Sequence, residues 1–323
     1  MNAAGNAEEG TVLYGANNIF IVRAAENRVL ARGPLVECRI KGKILRNAEG
    51  DYNPLAAGDR VRFLPDAQNP GRGVLVSREE RKNALLRWNK KGRAPQAIAA
   101  NVDLLVCVTS PASPPFRPRF LDRLLLAAHV AGIPSLICLN KDDQKTTIDI
   151  EARLADFQAR GIPCLRTHVC AETGEESTRS LRDAISGKRV LFAGQSGVGK
   201  TSLLNALAGG PGRKVGEISE KYNRGRHTTV LAYLETWAEG EIIDSPGVRE
   251  FDICGISGAD LRFFFDEFER FAPGCRLPGC THSHEPGCAV REAAENGSIN
   301  FDRYESYLRI FDDLQRRESR CHE

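Results

Sequence analysis

Apolar and polar residues alternate in short runs from Thr11 to Ser77. Ile19 and Ile21, then Val36, Cys38 and Ile40, then Val61 and Phe63, then Val74 and Val76 recur at every second position. That is the period of a half-buried strand, because successive side chains point to opposite faces of a sheet. Asn-Pro, Gly-Asp and Pro-Gly steps separate the runs and supply the backbone angles that tight turns need. Roughly five or six strands in that span predict a small β-barrel, specifically a partly open five-stranded, OB-like barrel of the kind that binds oligonucleotides.

The period changes at Val102. Val102 to Thr109, Ser135 to Leu139 and Pro163 to Val169 are nearly continuous apolar runs, and helical spacing fills Arg119 to Val130 and Ile150 to Arg160. Alternating helices with strands that are apolar on both faces predict an α/β domain with a mostly parallel sheet, covered on each side. Arg189 to Ala193, Val230 to Thr236 and Glu241 to Ile243 read as further strands of that sheet. Helical spacing returns over Ala259 to Phe271 and again over Asn300 to Arg317, where Phe301, Tyr304, Leu308, Phe311 and Leu314 fall on one face and read as core packing.

A chain of 323 residues suits two or three domains. Hydrophobic residues at 41% and charged residues at 27% are ordinary for a soluble protein. Met1 to Gly10 is polar and acidic, unlike a leader. No apolar run approaches the ~20 residues of a membrane helix, so a cytoplasmic protein without a membrane partner is expected. A net charge of +3 does not by itself argue for nucleic acid. Between Arg72 and Arg93, however, eight basic residues face two acidic ones, with Trp88 among them. That stretch reads equally well as a solvated face or as a phosphate-backbone contact. Seven of the ten cysteines are scattered, and Cys107 and Cys138 sit inside apolar runs, as reduced, buried thiols do.

The chemistry begins at Arg189 to Ser202. An apolar strand runs into Gly194-Gln195-Ser196-Gly197-Val198-Gly199-Lys200-Thr201-Ser202, followed by Leu203, Leu204 and Leu207 at helical spacing. Strand, glycine loop and helix form a phosphate cradle. The glycines let successive N–H groups face inward, Lys200 reaches the outer phosphates and the Thr201 hydroxyl holds magnesium. Asn140-Lys141-Asp142-Asp143 ends another strand. There the Asp143 carboxylate can accept both donors of guanine, Asn140 ties neighbouring loops and the Lys141 stem covers the base; adenine would leave the carboxylate unpaired. Asp244-Ser245-Pro246-Gly247 follows a third strand. Its aspartate reaches magnesium through water and its glycine N–H reaches the γ-phosphate. The loop Gly225-Arg226-His227-Thr228-Thr229 offers a threonine to magnesium only while the γ-phosphate is present. Near the C-terminus Cys275, Cys280, His282, His284 and Cys288 lie among glycines and prolines. Three thiolates and one imidazole make a closed tetrahedral set, so the zinc would be structural; His284 competes with His282 for the fourth place.

Small GTPases place the phosphate loop first and NKxD last, whereas here NKxD precedes the phosphate loop. The rotated order, the barrel before it and the cysteine cluster after it resemble the circularly permuted GTPases of the RsgA (YjeQ) family. The resemblance implies a multidomain chain: an OB-fold-like RNA-binding barrel over 1–82, a circularly permuted GTPase domain over 83–249 and a zinc-binding helical domain over 250–323. It implies GTP phosphates at Gly194 to Ser202, guanine at Asn140 to Asp143 with the Cys170-Ala171 backbone receiving its carbonyl, and magnesium at Thr201 and at Thr228 or Thr229. Zinc is implied at Cys275, Cys280, His282 and Cys288, since the family spacing selects His282. The implied activity is hydrolysis of GTP to GDP and phosphate, stimulated by the small (30S) ribosomal subunit during late maturation. A monomer would bind rRNA and use its nucleotide state to control subunit binding and release of assembly factors. Val248 stands where Ras-type GTPases carry the water-orienting glutamine, so unassisted hydrolysis should be at or below ~10⁻⁴ s⁻¹. His227 is the catalytic substitute that the resemblance offers beside Lys200. Two other classes remain open on the residues alone: an RNA-binding scaffold in which hydrolysis is incidental, separated by turnover with and without small subunits, and an ATP-dependent kinase, separated by competition between GTP and ATP.

Overall fold

The computed structural model describes residues 7–16, 18–25, 33–40, 52–169, 174–208, 232–237, 240–247 and 250–321. The alternating N-terminal runs form β1 (Glu8–Ala16), β2 (Ile19–Ala24), β3 (Leu35–Ile40), β4 (Arg60–Pro65) and β5 (Arg72–Arg78). They join in the order β1-β2-β3-β5-β4, and pairing of β1 with β4 closes the barrel rather than leaving it partly open. Val12, Phe20, Val22, Val36, Cys38, Phe63 and Leu75 fill its interior. On β2 and β5 the inward phase is therefore Phe20, Val22 and Leu75, while Ile19, Ile21, Val74 and Val76 are half-buried on the other face. On β2 the outer face is partly covered by the next domain, against whose core Ile21 packs together with Tyr14 of β1.

The stretch from Ala84 to Ala100, whose first half carries the basic run, forms a hairpin, β6 (Ala84–Asn89) paired with β7 (Ala94–Ala100). The turn Lys90-Lys91-Gly92-Arg93 is the local signal for it. Several cations there are already engaged. Arg81 binds the fully buried Asp59 through two hydrogen bonds of 2.7 and 2.8 Å, Lys82 meets Asp103 at 2.9 Å, and Arg78 donates to the Pro54 carbonyl.

The central sheet runs β8 (Leu104–Thr109), α1 (Pro118–Val130), β9 (Ser135–Asn140), α2 (Ile148–Ala159), β10 (Cys164–Thr167), α3 (Gly174–Ile185), β11 (Arg189–Gly194), α4 (Lys200–Leu207), β12 (Tyr233–Trp237) and β13 (Gly240–Asp244). Its strand order is β10-β9-β8-β11-β13-β12, parallel except for β12 at the edge. Alternate residues face opposite layers. Leu105, Cys107, Ile137 and Leu191 pack with α1, whereas Val106, Cys138, Phe192 and Ile242 pack with α3 and α4. Every residue of β8 is buried, which accounts for its unbroken apolar sequence.

Ala259 to Phe271 is not an α-helix. It divides into short 3₁₀ turns at Leu261–Phe264 and Asp266–Phe268, separated by Phe265 at φ −115°, ψ 80°. Leaving helical geometry there sets the Phe265 ring edge-on to Tyr307, with centroids 5.0 Å apart. After α5 (Ala289–Glu295), the long α6 (Phe301–Cys321) buries Tyr304, Tyr307, Ile310, Phe311 and Leu314, while Phe301 is 53% exposed and Leu308 only half-buried. The buried stripe thus keeps Tyr304, Phe311 and Leu314 of the expected one but takes in Tyr307 and Ile310 in place of Phe301 and Leu308. No helix among the described residues is long and apolar enough to cross a membrane.

Buried ion pairs fix how the three regions meet. Glu241 of β13 accepts from Arg23 of the barrel and from Arg189 of β11 (2.6 Å), and Arg189 also donates to the Gly58 carbonyl at 2.9 Å. On the other side, the fully buried Asp122 of α1 accepts from Arg153 of α2 (2.5 Å) and from Arg303 and Ser306 of α6 (3.0 and 2.6 Å). Removing one member of such a set strands its partners' charge in a low dielectric. Asp122→Ala should lower unfolding stability by about 3–5 kcal/mol, read by denaturant unfolding; a loss below about 1 kcal/mol would show that the pairs are dispensable.

Candidate functional site

Parallel register brings the three described motifs to one edge of the sheet. Gly194 at the end of β11 lies opposite Val108, Asp244 at the end of β13 lies opposite Phe192, and Asn140 at the end of β9 lies opposite Thr167. In open α/β sheets this carboxyl edge is where ligands bind.

Asn140 joins two of these loops. It is 2% exposed; its Nδ2 donates to the Val198 carbonyl at 2.9 Å, and its Oδ1 accepts from Thr167 Oγ1 at 3.0 Å. Lys141 sits at φ +63°, a left-handed angle that is costly for a side chain. The strained angle is held by two hydrogen bonds, as its Nζ donates to the carbonyls of Ser113 (2.6 Å) and Gly197 (2.7 Å). Asp142 is turned away into an ion pair with Arg166 at 3.0 Å. Asp143 is exposed and has neither hydrogen bond nor ion pair among the described residues. Its carboxylate has no competitor among the described residues.

In the glycine loop, Gly199 has φ +91°, and a Cβ there would lie 2.4 Å from Asn140 Nδ2. The tie between the two motifs therefore depends on a missing side chain. Gly247 has the same relation to Ser196, whose Cα and N would lie 2.8 and 2.9 Å from an added Cβ. Ser196 and Gly197 are exposed, as are Thr201 and Ser202 in the first turn of α4; Gln195 and Val198 are buried. Lys200 is 8% exposed and its Nζ donates to the loop's own carbonyls, Gly194 at 3.1 Å and Gln195 at 3.3 Å.

Asp244 provides the test of whether a cation fits. Its Oδ1 is buried without a hydrogen-bond partner. Burial pushes its carboxyl up to about 6 even though the charge of Lys200 opposes the rise. A carboxylate oxygen that lacks a donor beside a phosphate cradle is complementary to a hydrated divalent cation. Cys170, Ala171, His227, Thr228, Thr229 and Val248 lie outside the described residues.

The C-terminal cluster is a second, separate site. The ligand atoms of Cys275, Cys280, His282 and Cys288 all lie within 4.8 Å of one another. Cys275 and Cys288 Sγ are 4.0 Å apart, and each is 3.5 Å from His282 Nδ1. A tetrahedral zinc with ordinary bond lengths requires about 3.8 Å between sulfurs and about 3.6 Å between sulfur and nitrogen. The donor set therefore suits zinc in both chemistry and spacing. Burial lowers the His282 pKa, favouring the neutral imidazole that ligates, and pushes the Cys280 thiol up to about 12. A bound cation would reverse the penalty on the thiolates. His284 is exposed and outside the cluster.

The RsgA GTPase family model matches residues 78–254. The Small ribosomal subunit biogenesis GTPase RsgA of Chlorobaculum parvum is 41% identical over 293 residues, 87% of this chain and 92% of that protein. The protein of the same name from Borrelia recurrentis is 35% identical over 319 residues, 98% of each chain. This chain belongs to the RsgA GTPase family. The crystal structure of YjeQ from Thermotoga maritima shares its fold at a TM-score of 0.68 with 29% identity, covering 96% of this chain and 99% of that one. YloQ, described as a circularly permuted GTPase, gives a TM-score of 0.65 with 26% identity, covering 98% of each.

Some supports of the RsgA-type sites carry no signal in the sequence pattern. The Ser113 carbonyl that anchors Lys141 sits in the β8–α1 loop, and Tyr304 and Tyr307 of α6 donate to the carbonyls of His282 and Thr281. Glu285 accepts from the backbone N–H groups of Thr281, Ser283 and His284. Each is a side chain meeting backbone, which leaves no residue-type pattern. Gly199→Ala should weaken guanine-nucleotide binding by about tenfold or more, since the added methyl group disfavours the left-handed angle and displaces Asn140. Equilibrium titration with a fluorescent GDP analogue measures it; parent-like affinity would mean the loop can move without cost.

Proposed function

We propose that this chain hydrolyses GTP during late maturation of the small ribosomal subunit, that the subunit and its rRNA stimulate the reaction, and that the GTP/GDP state controls subunit binding and release of assembly factors. The observation that carries this reading is the convergence of Asn140, the 194–202 loop and Asp244 on one sheet edge in a chain whose motif order is permuted. The relatives that match nearly the whole chain are named as small-subunit biogenesis GTPases. In this reading the protein acts in the cytoplasm as a monomer.

In the proposed mechanism Asp143 accepts the ring N–H and the amine of guanine, Lys141 covers the base and the Cys170-Ala171 backbone receives the carbonyl. The loop N–H groups from Gly194 to Ser202 and the Lys200 ammonium hold the phosphates, and magnesium would be held by Thr201 and Thr228 or Thr229, with Asp244 reaching it through water. Bound there, magnesium supplies neutralisation of the charge on the β- and γ-phosphates. Gly247 reports the γ-phosphate through its close approach to Ser196. Val248 cannot orient water, and His227 takes that role when the subunit is bound. Cys275, Cys280, His282 and Cys288 hold one structural zinc.

Asp143→Asn should reduce GTP affinity by about a hundredfold and shift preference toward xanthosine triphosphate, whose C2 carbonyl suits an amide donor; competition binding reads both. His227→Ala should leave nucleotide affinity intact and abolish subunit-stimulated turnover, and unchanged turnover would exclude the role. Elemental analysis should find one zinc per chain, with Cys280→Ser losing it and exposing 275–288 to protease; a metal-free chain with that region intact would refute the site.

The absence of a water-orienting glutamine at Val248 favours a second reading, a nucleotide-gated RNA scaffold in which hydrolysis is incidental. Turnover that is equal with and without small subunits would select it.

A further inference from the structure

A groove of about 710 Å³ lies between the β6–β7 hairpin, α1, the chain at Glu250–Ile253 and α6. It shares no residue with the nucleotide or zinc sites. Its lining is rich in guanidinium groups without firm counter-ions. Arg93 and Arg320 have neither hydrogen bond nor ion pair among the described residues. Arg317 stacks over the Trp88 ring at 4.8 Å and donates to the Ile253 carbonyl, interactions that leave its charge uncompensated. Arg316 is 69% exposed and reaches Asp312 only at 3.9 Å, where an exposed pair contributes little. The remaining cations are paired: Lys90 with both Glu250 and Asp252 at 3.1 Å, Arg119 with Asp302 at 3.0 Å and Arg123 with Asp313 at 2.5 Å.

We infer that this groove docks single-stranded RNA, and that Glu250 and Asp252 are internal stand-ins for its phosphates, displaced from Lys90 when the RNA enters. The inference rests on the ribosomal reading above and gives it a surface. Uncompensated guanidinium groups call for an anion, and the Trp88–Arg317 stack selects among anions. An aromatic ring backed by a guanidinium is a platform for an unpaired base. A duplex hides its base faces, and an acidic peptide has nothing to place there. Arg316 and Arg320 are one helical turn apart, about 6 Å, so they can serve successive phosphates instead of one. The floor of the groove also connects to the nucleotide. Glu250 lies three residues beyond Gly247, and the Asp252 carbonyl accepts from the Trp88 N–H at 2.9 Å. Exchange of Lys90 from carboxylate to phosphate therefore acts on the chain that leaves the γ-phosphate sensor.

The test uses the full chain and a fluorescein-labelled oligouridylate of about 12 nucleotides, with anisotropy read from about 50 to 200 mM salt. Arg316→Glu with Arg320→Glu should weaken binding by about tenfold and make the slope of log K against log salt shallower by about 1.4, roughly 0.7 for each phosphate no longer neutralised. Glu250→Gln with Asp252→Asn should tighten binding by about threefold, because the internal competitors lose their charge. Both arginines are exposed and outside the nucleotide site, so basal GTP hydrolysis checks that the variant is folded. RNA affinity unchanged in the double arginine variant overturns the groove, as does displacement of the RNA by hexaglutamate as effective as by unlabelled RNA, which would make it an acidic-peptide site. Displacement by equimolar guanosine monophosphate would likewise replace RNA with a free nucleotide as its ligand. Subunit-stimulated turnover of the parent chain is measured in parallel. If it is present while the arginine variant binds RNA normally, the groove alone fails; if it is absent, the ribosomal reading fails.

Discussion

The parallel pairing of β8, β11 and β13 is the constraint on which the rest depends. A parallel sheet delivers every strand end of one polarity to the same edge, whatever order the strands take in the chain. Asn140 and Asp244 reach the phosphate loop from opposite sequence directions, yet both arrive at the edge where that loop begins. Permutation is thereby harmless to the site. It alters the continuation of the chain past the DSPG stretch, since the residues beyond Gly247 lead into the C-terminal region.

The two flanking regions are held against the sheet by buried charge. Glu241 lies between an arginine of the barrel and one of β11, and Asp122 lies between arginines of α2 and α6. Apolar contacts alone would allow sliding, because they are non-directional. Charge-assisted hydrogen bonds are directional, and a misaligned arm leaves an uncompensated ion, so orientation is enforced at both junctions.

Asp244 and the C-terminal Cys/His cluster both have the character of incomplete chemistry. Asp244 has a buried oxygen without a donor, and the four C-terminal ligands are spaced for a tetrahedral ion, with the Cys280 thiol discouraged from ionising by burial. A cation in each case would compensate the burial of those groups. Lys141 and His282 add a further sign: both hold left-handed backbone angles, at φ +63° and +59°, strain of the sort that persists where surrounding bonds over-determine a residue.

Local chemistry made much of this legible in the sequence. The glycine loop, NKDD, DSPG and the cysteine cluster are each local in the sequence, so spacing picks out their candidate residues, His282 being preferred to His284 only through the family resemblance, and the rotated order of the motifs carries the family. Strand periodicity also marked out the barrel, but not its phase at Ile19, Ile21, Val74 and Val76, because both faces of those strands are apolar and only closure of the barrel decides which is inner. The same limit hid the β6–β7 hairpin among basic residues and broke the expected helix at Phe265, where packing on Tyr307 overrides local propensity. Tertiary structure alone paired Arg81 with Asp59, committed Lys90 to Glu250 and Asp252, and left Arg93, Arg317 and Arg320 without carboxylates among the described residues. Charge along a chain says how many cations there are; which of them stay unneutralised depends on contacts between residues far apart in sequence.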